Sequence, residues 1–173
     1  MKKLSLTCAA LFSLLTLTPS AQADSGFIAG VGGGVAFGYG DLGGNGGLVD
    51  GELGYAFQEQ GGIATTLALG LTFTELDYNF STASRLYNGK DDVFTLAPRL
   101  RLAFPIDDVI SFYTQAQVGV NFSDVMADFG LGGGVGFDFR FSDLIQARLG
   151  YQLTTDVDGS GHHGVLAGIR FSF

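Results

Sequence analysis

From residue 27 to the C-terminus the chain alternates between apolar residues and polar residues or glycine. It does so in eight separate segments. In the segment 129–141, Phe129, Leu131, Val135, Phe137, Phe139 and Phe141 share one phase. Gly130, Gly132, Gly134, Gly136, Asp138 and Arg140 take the other. The pattern repeats with Phe27, Val31, Val35 and Phe37; with Val49, Leu53, Tyr55 and Phe57; and with Leu67, Leu69, Leu71 and Phe73. Further along it continues with Phe94, Leu96, Leu100 and Leu102; with Phe112, Val118, Val120 and Phe122; with Leu149, Tyr151 and Leu153; and with Val165, Ile169, Phe171 and Phe173. A strict period of two is the signature of β-strands with one apolar face. Segments of roughly ten residues suffice to cross a bilayer when tilted.

The connections alternate in length. Residues 58–62, 105–108 and 142–143 are short, whereas 40–47, 77–92, 123–128 and 155–162 are mostly longer. Short turns at one end and longer loops at the other predict an all-β, eight-stranded antiparallel up-and-down transmembrane β-barrel. The charges decide which phase faces out. Asp50, Glu52, Arg99, Arg101, Asp138, Arg140, Arg148 and Arg170 all lie on the polar phase. In water, the apolar phase would form the core and the glycines would face solvent without a role. In lipid, the apolar phase meets hydrocarbon, and the charges and glycines line a narrow interior. Closure also pairs every backbone N–H and C=O, as hydrocarbon requires. Glycines there leave room for long arginines, because an eight-stranded barrel is only just wide enough to fill with side chains. Aromatics gather at both ends: Phe27, Phe57, Phe104, Phe112, Phe141, Phe171 and Phe173 at the short-turn end, and Phe37, Tyr39, Phe73, Phe94, Phe122, Phe129 and Tyr151 at the other. Two such girdles are expected where a barrel meets the membrane interfaces.

Residues 1–23 read as a secretory signal peptide: Lys2 and Lys3, an apolar run from Leu4 to Leu17, then Ala21-Gln22-Ala23. Residues 24–173 form the barrel domain. The single cysteine, Cys8, lies in the apolar run, so the exported part has none. The formal net charge of −8 becomes −10 once Lys2 and Lys3 are removed. That argues against nucleic acid as a partner and against a basic membrane-surface module.

Strands ending in "GVLAGIRFSF" resemble the small outer-membrane barrels of Gram-negative bacteria, namely the OmpA transmembrane domain and OmpX group. In this group an alternating C-terminus is read by the assembly machinery, which the resemblance assigns here to Val165, Ala167, Ile169, Phe171 and Phe173. It implies a monomer in the bacterial outer membrane, contacting lipid and lipopolysaccharide and handed over by periplasmic chaperones. It also implies adhesion or immune evasion as a role for surface loops; no cofactor is expected. The chain ends with the last strand, so the soluble wall-binding domain of full-length OmpA has no counterpart in this sequence.

Three stretches carry candidate chemistry. The eight inward charges form either a structural network or the lining of a narrow, anion-preferring pore, and the structural reading is the expected one. "DVDGSGHH", residues 156–163, spaces Asp156, Asp158 and Ser160 like calcium ligands and adds His162 and His163. It lacks the later bidentate glutamate, so no metal is assigned and it reads as a surface loop. Those two histidines would also have to serve any lipid A-modifying enzyme on this architecture, and neither shows the His-x-Ser pattern of the deacylases. The sequence therefore reads as non-enzymatic. Finally, the long loop 77–92 carries Tyr78, Phe80, Arg85, Leu86 and Tyr87, residue types suited to a partner-binding tip. The folded protein is expected to migrate differently from its boiled form on an SDS gel. Identical mobility of the two would contradict the barrel.

Overall fold

The computed structural model describes residues 26–39, 44–58, 62–82, 85–123, 127–157 and 159–173, with the side chains of 78–82, 85–88 and 91 left aside. The expected signal peptide lies outside the described residues, as does Asp158. Eight strands follow one another: β1 (Gly26–Tyr39), β2 (Gly44–Gln58), β3 (Ala64–Thr82), β4 (Arg85–Pro105), β5 (Ile110–Phe122), β6 (Ala127–Arg140), β7 (Ile145–Asp156) and β8 (Gly161–Ser172). Each pairs antiparallel with the next, and β1 pairs with β8 to close the barrel. The C-terminus completes the seam: Phe173 N donates to Phe27 O at 2.8 Å.

The short turns are held locally. Asp107 Oδ1 accepts from Val109 N at 2.8 Å and from Ile110 N at 2.7 Å, and Ser142 Oγ accepts from Ile145 N at 3.2 Å. These side chains replace the ladder bonds that the chain gives up on reversing.

The two phases separate as the alternation requires. Leu69 is 48% exposed on the outer surface and Val118 is 41% exposed, whereas Asp50 and Arg99 are 3% and 2% exposed inside. Aromatics pair at both rims: Phe104 with Phe112 and Phe112 with Phe137 at the short-turn end, and Phe94 with Phe122 at the other. The lumen is not uniformly polar. Ala36, Leu48, Leu76 and Leu166 form a buried apolar cluster in its long-loop half.

The expected loop 77–92 is instead a hairpin. The β3–β4 ladder runs unbroken from Ala64 opposite Ala103 to Thr82 opposite Arg85. Polar residues there end the apolar alternation, but the backbone ladder does not need it. Glu75, Asp77 and Lys90 occupy the outward phase at the base of this hairpin, so hydrocarbon ends near Phe73 and Phe94. From Glu75 to Thr82 the strand continues for roughly 25 Å at about 3.4 Å per residue.

Replacing Leu69 or Val118 by arginine places a charge against acyl chains near mid-membrane. Each is expected to lower unfolding free energy in urea titrations of the vesicle-folded protein by about 2–4 kcal/mol. An effect near zero would contradict the assignment of this phase to lipid.

Candidate functional site: an ionic network across the lumen

The inward side chains meet partners on distant strands. Arg99 on β4 grips Asp50 on β2 with both terminal nitrogens, Nη1 to Oδ2 at 2.9 Å and Nη2 to Oδ1 at 2.6 Å. Thr72 Oγ1 also donates to Asp50 Oδ1, at 2.7 Å. Arg99 Nε donates to Gln117 at 3.0 Å, and Gln117 Nε2 to Thr154 Oγ1 at 3.1 Å. This chain of contacts reaches from β2 to β7. Such a two-pronged Arg–carboxylate pair is the strongest ordinary ionic contact.

A second cluster lies nearer the short-turn end. Arg101 Nη2 contacts both oxygens of Asp138 at 2.6 Å. Arg148 donates to Glu52, and Arg170 Nε donates to the same Glu52 Oε1 at 2.9 Å. The Tyr113 ring lies beneath Arg101, with the guanidinium carbon 3.6 Å from the ring centre. Glycine makes this packing feasible at identifiable points. A Cβ on Gly70 would fall 2.0 Å from Arg99 Nε, and one on Gly150 would fall 1.9 Å from the Tyr113 hydroxyl.

Seven of the eight expected interior charges are thus buried. Arg140 is not: it is exposed as the last residue of β6, where the inward phase opens at the mouth and water reaches it. The expectation that Arg140 belongs to the interior charge network is corrected accordingly. His162 and His163 fall on opposite faces of β8. His162 is buried in the lumen, with Nε2 3.4 Å from Thr74 Oγ1. His163 stacks outside on Phe37 at 5.5 Å and approaches Tyr151 at 5.6 Å. Adjacent strand residues cannot aim at one metal or one substrate. Val165, Ala167, Ile169 and Phe171 take the outward phase of β8, with Val165 and Ile169 exposed, and Phe173 follows the strand. Tyr78, Phe80, Arg85, Leu86 and Tyr87 lie in the paired strands β3 and β4, with Phe80 opposite Tyr87 and Thr82 opposite Arg85. Their side chains lie outside the described residues.

Sequence reasoning missed the apolar plug of Leu48, Leu76 and Leu166, as well as the role of Tyr113. Leu48 and Leu76 sit in the polar phase just beyond the segments whose alternation is clean, so their inward phase was the available signal. At the base of the hairpin, Lys90 Nζ lies 2.5 Å from Glu75 Oε1 and 3.4 Å from Asp77 Oδ1. The hydrogen bond to Glu75, then that to Asp77, raises its ammonium pKa above the ordinary 10.5. These exposed pairs add little stability.

An apolar outer surface, a closed ladder and charges turned inward define a transmembrane β-barrel of eight strands. The chain belongs to the outer membrane protein beta-barrel domain family, which it matches over residues 6–173. No curated protein matches the sequence. Among solved structures it is similar to Neisserial surface protein A, with 14% identity and a TM-score of 0.65, covering 87% of this chain and 100% of that one. It is also similar to the N-terminal barrel domain of Pseudomonas aeruginosa OprF, with 12% identity, a TM-score of 0.53 and coverage of 86% and 98%. The attachment invasion locus protein Ail of Yersinia pestis gives 14%, 0.52, and 86% and 97%. At these identities the likeness is one of fold.

Neutralising one partner of a buried pair leaves the other charge without compensation. Asp50→Asn is therefore expected to cost about 3–5 kcal/mol in the same urea titration. A cost below about 1 kcal/mol, the scale of an exposed pair, would show that the lumen is wet at this level.

Proposed function

We propose that the protein is a non-enzymatic outer-membrane anchor whose sealed barrel presents the β3–β4 hairpin for interaction at the cell surface. The observation that carries this reading is a contrast in length. β3 and β4 have 19 and 21 residues, whereas β7 and β8 have 12 each. Among the described residues only this hairpin is built far beyond the hydrocarbon, and strand pairing holds it upright. In this reading residues 1–23 direct export and are removed. The short turns face the periplasm, assembly factors and chaperones deliver the chain, and it works as a monomer among outer-membrane lipid and lipopolysaccharide.

The filled lumen favours an anchor over a pore. Arg99 to Asp50, Arg101 to Asp138 and Arg170 to Glu52 each link strands that are not neighbours, so the contacts bridge the interior. Lipid A modification is disfavoured by the two histidines, which face opposite sides of β8. Ail has been crystallised with the heparin analogue sucrose octasulfate. Here residues 75–92 carry Glu75, Asp77, Asp91 and Asp92 against Arg85 and Lys90, a poor match for a sulfated polyanion.

Replacing residues 77–92 by a short Gly/Ser turn should leave the heat-modifiable gel band intact and abolish binding of producing cells to a host-cell or matrix surface. Retained binding would contradict the reading. So would unitary conductance steps in a planar bilayer, or a changed lipid A mass on overproduction.

A further inference from the structure

The short-turn half of the lumen is out of electrostatic balance. Arg101, Arg148 and Arg170 surround two carboxylates, Glu52 and Asp138. Asp50 does not redress this, because Arg99 occupies both its oxygens. The surplus shows at individual atoms. Arg101 Nε and Nη1, Arg148 Nε and Arg170 Nη2 are buried and find no hydrogen-bond acceptor among the described residues. The nearest candidates are too far for hydrogen bonds: Arg101 Nη1 is 4.0 Å from Glu52 and Arg148 Nε is 3.7 Å from Asp138. Native interiors rarely leave buried donors unmatched, least of all charged ones.

Of the three arginines Arg148 alone also lines a cavity of about 10 Å³, together with Asp50, Gly32, Gly168 and Leu166; Arg101 Nη1 and Arg170 Nε lie within 4.0 Å of the Glu52 Oε1 that Arg148 also contacts. The cavity is large enough for one water-sized species. Gly32 and Gly168 are opposite each other in register and contribute no side chain to the lumen there. Arg148 lies opposite Gly168 on the next strand.

We propose that Arg101, Arg148 and Arg170 form a buried site for one small monovalent inorganic anion of halide size. Such an ion accepts several N–H bonds at once, so it matches donors converging from β4, β7 and β8. Its single negative charge balances the three guanidiniums of this half, Arg101, Arg148 and Arg170, against its two carboxylates, Glu52 and Asp138. The cavity sets the upper size: phosphate, sulfate and organic carboxylates are too large. The Asp50 carboxylate on the cavity wall is already neutralised by Arg99. The site is structural and independent of what the hairpin binds.

The test uses the full-length protein folded in detergent. Its heat-modifiability midpoint is measured in sodium chloride, sodium bromide and sodium gluconate at equal ionic strength. Chloride and bromide should raise the midpoint saturably, by about 4 °C or more relative to gluconate. Arg170→Gln removes the surplus charge and should abolish the difference. If that variant fails to fold, crystals of the unaltered protein grown in bromide decide the matter. They should show an anomalous peak within hydrogen-bond reach of the Arg101, Arg148 or Arg170 guanidinium. Equal midpoints in all three salts, a halide effect that persists in Arg170→Gln, or the absence of such a peak would overturn the proposal and leave water as the partner of these donors.

Discussion

Hydrocarbon offers no hydrogen-bond partners, and the architecture follows from that constraint. Every backbone N–H and C=O at membrane depth must be paired within the protein, so the sheet must close. Closure creates an inside. Alternation along each strand then sends one residue in two to lipid and the other into a lumen too narrow for bulk water. Polar groups in the lumen must satisfy one another, and the contacts of Asp50, Glu52 and Asp138 with four arginines are the result. Leu71 exposed outside and Thr72 buried inside are two consequences of the same pleat.

The lumen combines two kinds of packing. In one half, Leu48, Leu76 and Leu166 fill space as they would in a soluble core. In the other, guanidiniums stack on Tyr113 and reach across to carboxylates on non-adjacent strands. Glycines at positions 70 and 150 are the steric counterpart of those long side chains, since a methyl group there would overlap Arg99 or Tyr113. Stability therefore rests on a few cross-lumen contacts in addition to the ladder.

Much of this was legible in the sequence, for a physical reason. Lipid punishes a charge on the wrong face so strongly that the outward phase is almost purely apolar, and strands such as Phe112–Phe122 can be read directly. What was not legible depends on register. Asp50 and Arg99 are 49 residues apart, and nothing local announces that β2 and β4 face each other at that height. Arg140 has the inward phase but sits at the mouth, where phase no longer implies burial. In the sequence the hairpin reads as a loop, since Asp77, Asn79 and Asn88 break the apolar alternation. Beyond the membrane the alternation has no solvent to enforce it, while backbone pairing continues from Asp77 to Arg85.

The claim on which the account depends is that this protein turns its apolar phase outward to lipid and its charged phase inward. Nitroxide labels placed one at a time at Leu69, Val118 and Leu149 in the vesicle-folded protein test it most directly. Oxygen, which concentrates among acyl chains, should relax all three labels strongly, and a water-soluble nickel complex should barely affect them. Strong relaxation by nickel with little by oxygen would mean that these residues face water, and the barrel would then have to be a soluble one with its core on the other side.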